Sequence, residues 1–195
     1  MAKNARYRLA YRRRREQKTD YQARRILATS EQPRFVVRTS NKYIITQIVK
    51  AELVGDKVLT QTASKELINK YGWQASGKSI PAGYLLGLIA GHKAIKEGVE
   101  TVYLDLGLKR PTKGSKIFAV VKGAIDAGLN IPCDSDVIPS HERIMGGDIA
   151  NYVQVIDPEK YEKYFSVYLR KGLRPESLPE HFEETKKKIQ EDWTQ

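Results

Sequence analysis

Arg34-Phe-Val-Val-Arg-Thr39, Tyr43-Ile-Ile-Thr-Gln-Ile-Val-Lys50 and Lys57-Val-Leu-Thr-Gln-Thr-Ala63 are three β-branched runs within thirty consecutive residues. The breaks between them, Ser40-Asn41-Lys42 and Gly55-Asp56, carry turn chemistry. The pattern predicts a three-stranded antiparallel meander. Alternation puts Phe35 and Val37 on one face and Arg34, Val36 and Arg38 on the other. Thr46, Gln47, Thr60, Gln61 and Thr62 make the strands polar, so one sheet face is expected to lie outside the core.

Downstream the period changes. Ser64 to Tyr71 reads as a short helix. A longer one runs from about Pro81 to Glu97, with Leu85, Leu88, Ile89 and Ile95 on its buried side. Gly83, Gly87 and Gly91 recur every fourth residue and invite close approach by a neighbouring backbone. Thr101 to Leu106 reads as a buried strand, and Gly107 to Lys116 as a basic loop. Ser115 is placed to cap a helix from Lys116 to Ala127, which Gly128 ends. Strands followed by helix–strand–helix predict an α/β fold, a mixed sheet with packed helices. Three regions follow: a basic arm with a short helix (1–32), an α/β core (33–131) and a C-terminal extension packed on the core (132–195). The arm's helix, Tyr21 to Ala28, is capped from Thr19-Asp20. The extension ends in a charged helix from Pro179 to Trp193.

Composition narrows the function. Of 195 residues, 41% are hydrophobic and 29% charged, a globular balance. Cys133 is the single cysteine, so no internal disulfide forms, and His92, His141 and His181 lack metal-ligand spacing. The longest apolar stretch, Ile80 to Gly91, is too short for a bilayer, which needs ~20 residues. The basic N-terminal stretch lacks the apolar core of a secretory signal. Net charge is +11, and all of it lies in residues 1–50, which hold 14 Lys/Arg and 3 Asp/Glu; residues 51–195 hold 20 of each. A neutral body with one concentrated cationic end points to a polyanion.

That end supplies the candidate contacts: Lys3, Arg6, Arg8, Arg12, Arg13, Arg14, Arg15, Lys18, Arg24 and Arg25, with Tyr7 and Tyr11 interleaved at helical spacing. Arginine forks match phosphate oxygens bidentately, and tyrosine rings stack on bases or pack in a groove. Residues 1–16 have too little apolar content to fold alone and are expected to order against a partner. The acid-free basic loop adds Lys109, Arg110, Lys113 and Lys116. The competing reading is a nucleotide-binding enzyme, because Gly72-Trp-Gln-Ala-Ser-Gly-Lys-Ser79 matches the phosphate-loop pattern and Val102-Tyr-Leu-Asp105 resembles a magnesium-binding strand. That loop must follow a buried strand, whereas Ser64 to Tyr71 has helical spacing. The expectation is therefore a loop between two helices, with Ser79 near the cap. Acids do not converge as a metal-dependent nuclease requires: Arg34 to Thr39 holds none, and Asp105, Asp126 and Asp136 are scattered. No catalytic residues, cofactor or small-molecule substrate are expected. Tyr161, Tyr164, Phe165 and Tyr168 fall on one helical stripe that favours packing, and Lys186 to Lys188 reads as a solvated face.

Several motifs together resemble the large-subunit ribosomal protein L-eighteen family in its archaeal form, whose eukaryotic relative is large-subunit protein five. They are Tyr11-Arg-Arg-Arg-Arg-Glu-Gln-Lys-Thr-Asp-Tyr21, Tyr103-Leu-Asp-Leu-Gly-Leu108, Lys113-Gly-Ser-Lys-Ile-Phe118 with Lys122-Gly-Ala-Ile-Asp126, Arg143-Ile-Met-Gly146 and Tyr161-Glu-Lys-Tyr-Phe-Ser166. The resemblance implies a ribonuclease-H-like topology without nuclease function. It implies binding to 5S rRNA and help in joining it to the 23S-type large-subunit rRNA at the central protuberance, beside neighbouring ribosomal proteins. It carries RNA contacts onto the arm and onto Arg34, Arg38, Asn41 and Lys42 on the sheet. Residues beyond about 130 match only archaeal and eukaryotic members. The insertion of eukaryotic members before Tyr103 is absent, and Cys133 stands where relatives often have histidine.

Overall fold

The computed structural model describes residues 4–194. The meander forms as its alternation predicts: β1 (Arg34–Thr39), β2 (Ile44–Ala51) and β3 (Asp56–Ala63) pair antiparallel. β4 (Tyr103–Asp105) joins β1 in parallel, giving the order β3-β2-β1-β4. This mixed sheet is compatible with the ribonuclease-H-like topology that the resemblance implies. The expected strand from Thr101 to Leu106 is shorter. Val102 is fully buried, but Tyr103 is exposed and Thr101 makes only an isolated bridge to Asn130.

The inner sheet face carries Phe35, Val37, Ile44 and Ile48, all buried against α4 (Ile80–Lys96) and α5 (Lys116–Asp126). α4 also has a second apolar neighbourhood. Leu86, Ala90 and Ala94 face the sheet side, while Leu85, Leu88 and Ile89 belong to a second core with the C-terminal helices. A helix between two cores must be apolar nearly all round, which a one-sided periodicity cannot express. Leu86 is therefore buried as well, and Ile95, expected inside, is 42% exposed near the helix end.

The four-residue glycine spacing has a specific use. A Cβ on Gly87 would lie 2.0 Å from the Val120 carbonyl oxygen, and one on Gly123 2.0 Å from that of Tyr84. Gly83 meets Lys116 and Val120, and Gly91 meets Ala124 and Ala127. Residue numbers rise together along the contact, so α4 and α5 run parallel and their first turns lie side by side. Backbones this close leave no room for a methyl group.

The chain beyond Pro132 closes the second core. α6 (His141–Met145), α7 (Gly147–Val155), α8 (Pro158–Tyr164), α9 (Ser166–Arg170) and α10 (Leu178–Thr194) surround Ile144, Phe165, Leu178, Phe182 and Ile189. The aromatic stripe does not lie on one helix, because the chain turns at Phe165 between α8 and α9. Phe165 and Tyr168 are buried, whereas Tyr164 is 57% exposed. α10 is fastened to α3 (Ser64–Tyr71) by Asp192, which accepts from Lys70 Nζ at 2.6 Å and Tyr71 Oη at 2.8 Å.

Candidate nucleic-acid interface

The arm enters the fold through α2 (Tyr21–Thr29), whose N-cap Asp20 accepts from the Gln22 and Ala23 amides. Its Arg24 reaches Asp56, at the start of β3, at 2.9 Å. Before it lies α1 (Arg12–Arg15), a single turn of four arginines with no buried residue and no side-chain cap. Residues 4–18 are exposed throughout. Tyr7 lies outside any helix, so the interleaved spacing does not place Tyr7 and Tyr11 on one helical face. Tyr11 instead rests against the Tyr21 ring at 5.1 Å. Lys3 lies outside the described residues.

Pairing separates the arm arginines. Arg12 and Lys18 share Glu16, at 3.8 and 2.9 Å, and Arg13 Nε donates to Thr19 Oγ1. Among the described residues Arg6, Arg8, Arg14, Arg15 and Arg25 form no ion pair. A guanidinium without a carboxylate is open to a phosphate.

Between the arm and the outer sheet face lies an open cleft of about 490 Å³. Arg13, Lys18 and Arg24 line one side; Arg34, Arg38 and Lys109 line the other. The sheet arginines differ sharply from those of the arm. Arg34 is 3% exposed, with its guanidinium 2.8 Å from Asp56 and 3.5 Å from Asp105. Arg34, expected from sequence to contact RNA, is thus already enclosed by two carboxylates, unlike the exposed arginines of the arm. Val36 and Val49 are buried too, so the outer face is partly covered rather than wholly outside the core. Its open part is polar, with Gln47 donating to Gln61.

Arg38 is intermediate in kind. It donates to the Asp105 carboxylate at 2.8 Å and to the Asp105 carbonyl at 2.7 Å, yet its side chain is 45% exposed. Asp105 also accepts from the Gly107 amide, so it braces the end of β4. Arg24, Asp56, Arg34, Asp105 and Arg38 thus form a continuous chain of alternating charge that fixes α2 to three strands. The sequence expects Asp105 in a cap, turn or ion pair, but which arginines it and Asp56 meet is not legible in local pattern, because partners across strands are set by register. Asn41, Lys42, Lys109, Arg110 and Lys113 are exposed at the same end of the sheet or in the following loop. Lys113 lies 3.9 Å from Asp136, and Lys116 is half-buried at the start of α5. Ser115 occupies the cap position of α5 without a side-chain cap bond.

The phosphate-loop match has a different geometry. Gly72, in the left-handed region, ends helix α3, so no strand feeds the loop. Trp73 and Ala75 fill the loop from within, and Trp73 Nε1 and Ser79 Oγ both donate to the Ser76 carbonyl. Ser79 caps α4 by accepting from the Ala82 amide. Asp105, the supposed magnesium partner, is held by two arginines on the opposite sheet face. Trp73, Ser76 and Ser79 are engaged with each other inside the loop, while Lys78 is exposed.

A family model described as ribosomal large subunit proteins 60S L5 and 50S L18 matches residues 5–101 and 95–134. The chain is also similar to proteins named large ribosomal subunit protein uL18. That of Thermofilum pendens is 50% identical over 194 residues, covering 98% of each chain. That of Ignicoccus hospitalis is 47% identical over 196 residues, covering 99% of this chain and 96% of the relative. That of Caldivirga maquilingensis is 46% identical over 196 residues, covering 99% and 95%.

Proposed function

The chain belongs to the family of ribosomal large subunit proteins 60S L5 and 50S L18, and from that premise we propose that it holds 5S rRNA in the large ribosomal subunit. It is a structural constituent of that subunit, working in the cytoplasmic ribosome rather than as an enzyme. The proposed partners are 5S rRNA, the 23S-type large-subunit rRNA at the central protuberance, and the ribosomal proteins around them.

One observation carries the RNA reading: Arg6, Arg8, Arg14 and Arg15 stand exposed and, among the described residues, without ion pairs, on an arm that borders a cleft lined by further cations. Each phosphate that such a side chain neutralises releases counterions, so affinity grows with the number of contacts and falls steeply with salt. The arm captures RNA electrostatically and orders in its grooves, while Arg38, Asn41 and Lys42 meet the RNA from the sheet. Tyr7 and Tyr11 offer stacking faces for unpaired bases.

The test is competition between a 5S rRNA transcript and unrelated structured RNAs of equal length at near-physiological salt. Tighter retention of 5S rRNA is expected, with a backbone footprint that shrinks when residues 1–18 are removed. Equal retention of all RNAs would refute the 5S assignment.

A further inference from the structure

The lysine of the Gly-Lys-Ser sequence, Lys78, has no role in the reading so far. It is exposed, and the parallel packing of α4 and α5 brings it beside Lys116, because one residue precedes the N-cap of α4 and the other opens α5. The turn bearing Lys42 abuts the same place: its carbonyl oxygen lies 3.5 Å from where a Cβ on Gly77 would sit. Lys109 approaches from the loop after β4 and also lines the arm's cleft. We propose that Lys42, Lys78, Lys109 and Lys116 form a further RNA-phosphate patch that continues the interface from the cleft around the end of the sheet.

The proposal rests on the RNA-binding reading above and adds a location and a residue to it. Lys78, Lys109 and Lys116 come close enough for their charges to interact, with Lys42 in the adjoining turn, and among the described residues none of the four has an ion pair. Neither α4 nor α5 has an acid in its first turn to offset them. Lys116 registers the cost. Partial burial, then the charges of Lys78 and Lys109, push its ammonium below the usual lysine range. A folded protein gains nothing from gathering like charges in this way; a polyanion laid across them relieves the repulsion. The loop before α4 is packed solid, so the patch cannot enclose a free nucleotide, whereas an RNA backbone needs only a surface.

The double variant Lys78→Gln/Lys116→Met tests this in the full chain, beside the deletion of residues 1–18. Binding of a 5S rRNA transcript is measured across a salt series. The double variant is expected to bind about tenfold more weakly, and its log–log salt slope to shrink by roughly 0.7–0.9 for each phosphate released. Its Tm should equal or exceed that of the parent, since a desolvated and repelled charge has gone. An unchanged slope, while the arm deletion still weakens binding, overturns the patch and leaves the RNA function standing. If the parent itself shows no preference for 5S rRNA, the 5S assignment fails on its own account, and the slope against any RNA still decides the patch. ATP binding by the parent that the double variant loses would also overturn it, in favour of a nucleotide site.

Discussion

Arginine serves the arm and the sheet of this protein in opposite ways. In the arm, Arg14 and Arg15 stand in solvent on a single helical turn with nothing buried beneath them. On the sheet, Arg34 is enclosed between Asp56 and Asp105, and its exposure falls to 3%. The two kinds look alike in a charge count, and the difference lies wholly in what faces them. An unpaired surface arginine costs the fold nothing and remains available to RNA. A buried one has spent its charge on its neighbours, and its removal would strand theirs.

Removing residues 1–18 should separate the two kinds most sharply. RNA affinity is expected to fall by orders of magnitude and its salt dependence to flatten, with Tm unchanged. A truncated protein with full affinity and slope would show that the arm is not the principal contact. Arg34→Ala should do the reverse. Leaving Asp105 partly buried with only one guanidinium is expected to cost about 3 kcal/mol in urea unfolding, while the RNA salt slope of the folded fraction stays at the parent value. A smaller change follows from Arg14→Gln: the slope should drop by roughly 0.7–0.9 without any loss of stability. Arg24→Gln should have the smallest effect. Its exposed pair with Asp56 is worth under about 1 kcal/mol, and RNA affinity should change less than for Arg14→Gln. A full contact's loss there would place Arg24 among the arm's free cations instead.

The backbone plan was largely legible from residue pattern. β1 and α3 begin and end where alternation and helical spacing put them, and Asp20 caps α2 as its side chain and position suggest. What escaped was information held in three dimensions. The one-sided periodicity of α4 pointed to Ile95 and missed that Leu86 faces the sheet while Leu85, Leu88 and Ile89 face the C-terminal helices. The aromatic stripe from Tyr161 to Tyr168 is regular in sequence, yet the chain bends at its third member. Of the candidate contacts, the exposed arm was visible from charge clustering. Arg34 looked equally basic, because the strand register that brings Asp105 beside it joins segments far apart in the chain. Lys78 was legible only as part of a nucleotide motif, since its neighbours Lys42 and Lys116 become visible only when α4 and α5 are seen to start together.

The bond from Arg24 to Asp56 makes α2 the anchor of a leash. The fifteen residues from Asn4 to Lys18 can extend at most about 50 Å from that anchor. RNA already resting on the cleft would therefore meet the free arginines at an effective concentration near the millimolar range. Two individually weak grips then release only when both let go at once, and the complex outlasts either grip alone.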